Sequence, residues 1–135
     1  MDIKNFFHKI LSGNKAIVVP TTIKEAFSGR FNSPLNTEWA KVGDQYEAVF
    51  YKDELEHIAR YNVAGVLQSL KVNLQLDTVP QPIRETARQH GELMNAITIQ
   101  RANETTYELI VRDDQLTRFT LLLNSNGEVI EKEKL

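Results

Sequence analysis

Apolar positions near the amino terminus recur with the period of a helix. Five of them lie at i, i+3, i+4, i+7 and i+8, before a stop signal at residues 12–14: Ile3, Phe6, Phe7, Ile10 and Leu11. This spacing predicts a short amphipathic helix inside an amino-terminal segment of residues 1–18. Such a helix docks on the domain or on a symmetry mate, which would give a homodimer. A membrane-surface or partner-docking helix is the alternative, because three lysines lie on its polar side.

Beyond this segment, one helical pattern is followed by four stretches in which apolar and polar residues alternate. The same order of one helix and four strands then repeats. The first helix opens after Pro20, with Thr22 and Glu25 at the spacing of a capping box. The second runs from 82 to 90 and stops at Gly91. Alternation and turn residues predict eight strands, at 37–41, 45–52, 55–62, 66–74, 97–102, 106–112, 116–124 and 128–133.

The two halves also resemble each other in sequence. Residues 19–25 match 79–85, residues 46–50 match 107–111, and residues 62–66 align with 124–128. Ordered matches at a nearly constant offset indicate a duplication. We therefore expect residues 19–135 to form a single domain of two tandem repeats, 19–74 and 75–135. The fold class is α+β: each repeat is a helix plus a four-stranded antiparallel unit, and the repeats share one twisted sheet with helices on one face.

Alternation along three strands separates a core face from the opposite face, called the second face below. The core sets are Tyr46, Ala48 and Phe50, then Leu55, His57, Ala59 and Tyr61, then Tyr107, Leu109 and Val111. The second face mixes apolar and charged residues with Tyr and Arg, as protein interfaces do. We expect eight residues of this face to bind a protein or peptide: Glu47, Val49, Tyr51, Ile58, Arg60, Glu108, Ile110 and Arg112. The alternatives are an ordinary solvated face and a self-association surface.

Composition excludes several classes of function. The 135 residues carry a formal net charge of −2, so nothing favours a basic nucleic-acid-binding face. The chain has no cysteine and therefore no disulfide or thiolate site. No stretch approaches the roughly 20 apolar residues of a transmembrane helix. The amino terminus lacks the apolar run of a secretory signal, which favours a cytoplasmic location for the sequence as it stands.

The sequence contains little that indicates a catalytic site. His8, His57 and His90 are far apart in sequence and show no metal-ligand spacing. The paired carboxylates at residues 53–54 and 113–114 are typical of solvated turns. No serine lies in a nucleophile motif, and no glycine loop could hold a phosphate. We expect no enzyme activity, no metal site and no cofactor.

The chain resembles the PepSY-like proteins, also described as β-lactamase-inhibitor-like. The residues that carry the resemblance occur in the same order in both halves, and all but one of these motifs occur twice. They are Val19-Pro20 and Val79-Pro80, Trp39, Tyr46-Glu47 and Tyr107-Glu108, Asn62–Gly65 and Asn124–Gly127. Asparagine stands where the family usually has aspartate, at 62 and 124, and the second repeat lacks an aromatic residue aligned with Trp39. The resemblance covers residues 19–133 and implies a tandem α+β domain with one curved antiparallel sheet. It also implies export to the periplasm, provided that a signal was removed.

We therefore expect a non-catalytic binding module that recognises an unknown protein or peptide through the second face, as an inhibitor or modulator. The namesake inhibitors of the family grip an enzyme with their sheet. A self-assembling structural protein is one alternative. A small-ligand carrier with a cavity between sheet and helices is the other.

Overall fold

The computed structural model describes residues 17–135, and the predicted helix at residues 3–11 lies outside them. The described residues form two helices and eight strands, with one short 3-10 helix between the halves. Their bounds are α1 Thr21–Arg30, β1 Leu35–Val42, β2 Gln45–Lys52, β3 Leu55–Tyr61, β4 Leu67–Asn73, the 3-10 helix Leu76–Thr78, α2 Gln81–His90, β5 Glu92–Arg101, β6 Glu104–Arg112, β7 Arg118–Asn124 and β8 Val129–Lys134. The predicted α+β class is confirmed.

All eight strands belong to one sheet, in the order in which they follow each other along the chain. Every neighbouring pair is antiparallel. Strands β4 and β5 join the two halves through residues 70–73 and 97–100. The sheet is therefore continuous across the middle of the chain, with no break into separate four-stranded sheets.

A proline is the N-cap of each helix, and α1 lacks the predicted capping box. Pro20 is the N-cap of α1, and its carbonyl oxygen accepts the N–H groups of Ile23 and Lys24 at 3.0 and 3.1 Å. No side chain caps this helix, so the predicted pairing of Thr22 with Glu25 is wrong. The reason is the position of the N-cap, which is Pro20, two residues before Thr22, so Thr22 already lies inside the helix.

Most strand bounds agree with the predicted ones to within two residues, and β5 is the exception. It begins at Glu92, five residues before the predicted start. The register shifts between Leu93 and Asn95, which marks a bulge. A bulge interrupts the alternation of side chains, and alternation was the signal that set the predicted start at residue 97.

The helices pack on one face of the sheet, the first face, over two apolar clusters. On α1, Ile23 and Phe27 are buried; the Phe27 ring meets the Phe50 ring edge to face, with centroids 5.0 Å apart. On α2, Ile83 and Ala87 are buried against β5, β6 and β7. The predicted core sets of β2, β3 and β6 belong to this face, as their alternation indicated.

Two similar turns, one between β3 and β4 and the other between β7 and β8, pack against the starts of the helices. Asn62 Oδ1 accepts the N–H groups of residues 64 and 66, both at 3.0 Å, and Asn124 Oδ1 does the same for residues 126 and 128. Gly65 (φ 81°) lies against Thr22, and Gly127 (φ 89°) lies against Pro82. A side chain at either glycine would collide with the helix, so these glycines fix how closely sheet and helix approach.

Candidate functional site

The structure brings the eight predicted binding residues to the second face, in two groups. On β2 and β3, Glu47 pairs with Arg60 and Val49 pairs with Ile58, while Tyr51 lies opposite Glu56. The other three, at 108, 110 and 112, follow one face of β6. Strands β4 and β5 separate the groups by three strand spacings, or about 14 Å.

An apolar cluster bridges this gap. Four buried side chains form it, one on each of β2 and β3 and two on β5: Val49, Ile58, Ile97 and Ile99. Ile110 and Leu122 pack against it from β6 and β7. The second face therefore has an apolar centre that crosses the join between the two halves of the chain.

A buried ion pair borders the cluster on the side of β2. Arg60 Nε donates to Glu47 Oε1 at 2.9 Å, and the second guanidinium nitrogen contacts the same oxygen. The Glu47 side chain is 1% exposed, whereas about a third of Arg60 reaches solvent. A carboxylate this deeply buried depends on its hydrogen-bonded partners.

Lys71 lies in the middle of the cluster, and the sequence alone did not single it out. It pairs with Ile58 on one side and with Ile99 on the other, and it is only 7% exposed. Burial lowers its pKa to about 8.

Charged neighbours modify this effect without cancelling it. Glu108 and Glu47 raise the pKa of Lys71, and Arg101 and Arg60 lower it. The centre of the face thus combines two cationic groups, Lys71 and Arg60, with two carboxylates in apolar surroundings, while Arg101 lies exposed at the β5–β6 hairpin. In such surroundings, a charge interacts more strongly than it does in water.

The two ends of the face carry further polar pairs. At one end, burial raises the pKa of the Glu56 carboxyl, and the hydrogen bond with Tyr51 lowers it. At the other end, Arg112 donates to Glu92 at 3.0 Å, with about two thirds of the Glu92 side chain exposed. These pairs form a polar rim around the apolar centre.

A cleft of about 190 Å³ opens beside the cluster at the β5–β6 hairpin. Its apolar lining is Ile99, Leu122 and Ile130, and its polar lining is Arg101, Glu104 and Thr106. A larger hollow of about 380 Å³ lies elsewhere, between the 3-10 helix, α2 and the start of β5. Arg84 and Arg88 line that hollow, so it is not an apolar pocket between sheet and helices.

The described residues that offer acid–base chemistry do not gather at one point of the structure. His57 lies on the first face, where its ring stacks on Phe50 with centroids 5.1 Å apart and burial lowers its pKa. Throughout the described part of the chain, no three His, Asp or Glu side chains form a group that could hold a metal ion. No helix among residues 17–135 is long and apolar enough to cross a membrane.

Comparisons with known proteins give matches in structure only. No protein-family model matches the chain, and no curated protein matches it in sequence. A solved structure from Bacteroides eggerthii, provisionally described as periplasmic, has a TM-score of 0.77 at 14% identity and covers 87% of this chain and 90% of its own. A DUF2874 family protein from Bacteroides uniformis has the same TM-score and the same coverages at 15% identity.

A BLIP-like protein from Bacteroides fragilis completes the comparison, with a TM-score of 0.76 at 12% identity over 89% of both chains. Identities this low show the fold alone. A BLIP-like fold is thereby supported, and the PepSY-like resemblance stays a prediction. The chain has the fold of the BLIP-like and DUF2874 family proteins.

Proposed function

We propose that this protein is a non-catalytic binding module that recognises a protein or peptide through the second face, as an inhibitor or modulator. The observation that carries the proposal is the apolar cluster around Ile58 and Ile99, which lies opposite both described helices and has a charged rim. Interfaces commonly combine an apolar centre with a polar rim. The likeness in fold to a BLIP-like protein supports an inhibitor-like module.

The chemistry of the described residues favours binding over catalysis or transport. An enzyme needs titratable groups that converge on one reacting atom. Here the groups of the second face whose pKa values are shifted include the central Lys71 and, at the rim, Tyr51 and Glu56, and Lys71 does not meet the other two at one point. A carrier would use the space between sheet and helices, and apolar side chains fill that space.

We infer that the two halves arose by duplication, as the sequence matches suggested. The similar turns at Asn62 and Asn124 support this, since each approaches the start of its own helix through a glycine. A face assembled from two copies would offer similar strands to the two ends of a partner.

We also propose that the protein is exported. The structural neighbour that is provisionally described as periplasmic supports this location.

The test is affinity capture from a lysate with a matched pair of variants. Ile110→Asp places a charge in the apolar centre, where Ile110 is partly buried. Val66→Asp makes the same kind of change in the β3–β4 turn, away from the face, where Val66 is 54% exposed. Circular dichroism and thermal unfolding establish that both variants are folded.

The proposal expects a partner that wild type and Val66→Asp retain and Ile110→Asp loses. Equal capture by both variants, or the absence of any partner, contradicts it. An Arg60→Glu variant is unsuitable, because it would set a second carboxylate against the buried Glu47 and unfold the face.

A further inference from the structure

We propose that the cleft at the β5–β6 hairpin holds one large apolar side chain of the bound partner, a leucine, isoleucine, methionine or phenylalanine, as an anchor of the interface. Arg101 and Glu104, at the mouth of the cleft, bond to the peptide groups next to that side chain. The inference rests on the proposed function, and it specifies the partner's chemistry: a chain segment that exposes an uncharged apolar residue.

The cleft extends the apolar centre of the second face. Ile99 is 4% exposed and belongs both to the apolar cluster and to the lining of the cleft. Leu122 packs against the cluster from β7 and lines the cleft as well. A partner that covers the cluster therefore lies over the cleft too, and an apolar group inserted there enlarges the same buried centre.

A bulge in β8 supplies the outer wall of the cleft. Glu131 and Val129 pair with neighbouring residues of β7, so Ile130 between them is an extra residue. Lys132 pairs with Leu121 of the first-face core, and regular alternation would therefore put Ile130 on the first face as well. The bulge instead directs Ile130 into the lining of the cleft, where it is 54% exposed. Filling the cleft removes this apolar side chain from water, which favours binding.

The size of the cleft suits one side chain rather than a small-molecule ligand. Its volume is about 190 Å³, whereas sites for drug-sized ligands span about 300–1,000 Å³. An apolar cavity of about 150 Å³ is large enough for benzene, so a leucine or phenylalanine side chain fits the cleft. Side chains that fill pockets of this kind commonly carry much of the binding energy of an interface.

The charges at the mouth favour an uncharged anchor within a peptide backbone. Arg101 and Glu104 lie opposite each other on the hairpin, and both are exposed. Their charges offset each other, so the mouth attracts neither an acidic nor a basic side chain, and the apolar lining disfavours a buried charge. An arginine has five N–H donors and a carboxylate has several acceptor positions. The two side chains can therefore bond to the carbonyl and the N–H groups of the segment that carries the anchor.

The experiment selects random displayed peptides on the 135-residue protein and measures their binding by fluorescence anisotropy. We expect the selected peptides to share one Leu, Ile, Met or Phe, and replacing that residue by Ala should weaken binding at least about tenfold. Ile130→Asp should weaken binding to a similar degree. Combining the two changes should cost little more than either, because both remove the same contact.

The matched control for Ile130→Asp is Val129→Asp. Val129 is the neighbouring residue, is 41% exposed and pairs with Leu123 of the first-face core. It should therefore leave peptide binding unchanged. Thermal unfolding establishes that both variants are folded.

A cross-link tests where the anchor lies. The chain has no cysteine, so a single one can be introduced in the hairpin turn beside Glu104, as Asn103→Cys. A peptide with a cysteine next to the anchor should form a disulfide with this variant and not with Lys24→Cys, on the exposed side of α1. Equal cross-linking to both variants overturns the inference.

The outcomes separate this inference from the proposed function. Peptides that Ile110→Asp loses and Ile130→Asp binds as tightly as wild type does overturn the inference and leave the binding module standing. The absence of any peptide whose binding either variant weakens overturns both. Peptides with an apolar anchor that both variants lose support both.

Discussion

Replacing the buried lysine by an uncharged side chain of similar shape should stabilise the protein. Burial lowers the pKa of Lys71 from 10.5 to about 8, which corresponds to about 3 kcal/mol against the charged form in the folded state. Lys71→Met removes this cost and keeps the aliphatic packing against Ile58 and Ile99. At pH 7 the variant is therefore expected to exceed wild type by up to about 3 kcal/mol in the free energy of unfolding.

The sign of the pH dependence follows from proton binding. Between about pH 8 and pH 10.5 the unfolded chain keeps the lysine proton and the folded protein has lost it. The unfolded state then binds more protons, so this group makes wild type more stable as pH rises. The difference in the free energy of unfolding between Lys71→Met and wild type should therefore shrink by about 2 kcal/mol between pH 7 and pH 9.5.

Urea unfolding at several pH values measures this difference in stability. The fluorescence of Trp39, the single tryptophan, follows unfolding from the first face. Taking the difference from wild type cancels the titrations that both proteins share. Lys24→Met, where the lysine is exposed, is the matched control, and it should lack the gain in stability at pH 7 that Lys71→Met shows. A gap for Lys71→Met that stays constant with pH, or a less stable variant at pH 7, would refute the reasoning.

Three further predictions concern the packing around this face and the helices, and each is measured by urea unfolding. Arg60→Met should cost about 3–5 kcal/mol, because it removes the guanidinium from the buried Glu47 carboxylate; a loss below about 1 kcal/mol would contradict this. Gly127→Ala should destabilise by more than about 1 kcal/mol, since its Cβ would lie 2.8 Å from the carbonyl oxygen of Pro82 at a φ of 89°. Gly29→Ala is the matched control: nothing lies within 4 Å, and it should stabilise α1 by up to about 1 kcal/mol. Phe27→Ala should cost about 3–5 kcal/mol, and a smaller loss would show that the aromatic cluster of α1 relaxes to fill the cavity.

Alternation predicted the faces of β2, β3 and β6 because each of these strands is regular over its predicted length. On β2, Tyr46 and Phe50 point to the helices while Glu47 and Val49 point away, as a period of two requires. The eight residues assigned to the second face depended on these three strands alone. Their role in binding stays a prediction.

The centre of the face was missed because it lies on β4 and β5. The predicted strand at 66–74 already contained Leu70 and Val72 as apolar alternates, and that alternation would have placed Ser69 and Lys71 on the second face. Lysine side chains are seldom buried, however, so nothing in the sequence indicated that Lys71 lies in an apolar centre. Only the strand pairing shows that Ile58 and Ile99 lie on either side of it.

The N-cap of α1 and the start of β5 could not be predicted from the sequence for a different reason. A capping box requires both the residue types and the exact N-cap position, and a proline at the N-cap displaced it by two residues. The bulge after Leu93 depends on pairing with β6, a contact between segments about twenty residues apart. Local patterns do not contain that information.

The most direct test of the binding face uses isoleucine methyl groups as reporters on both sides of the sheet. Ile58, Ile97, Ile99 and Ile110 report from the second face, and the buried Ile23 and Ile83 report from beneath the helices. Methyl-labelled NMR spectra recorded during titration with a captured partner or selected peptide should show shifts at the second-face group. The methyl signals of Ile23 and Ile83 should keep their chemical shifts. Shifts centred on Ile23 and Ile83, with the second-face methyls unmoved, would contradict the account.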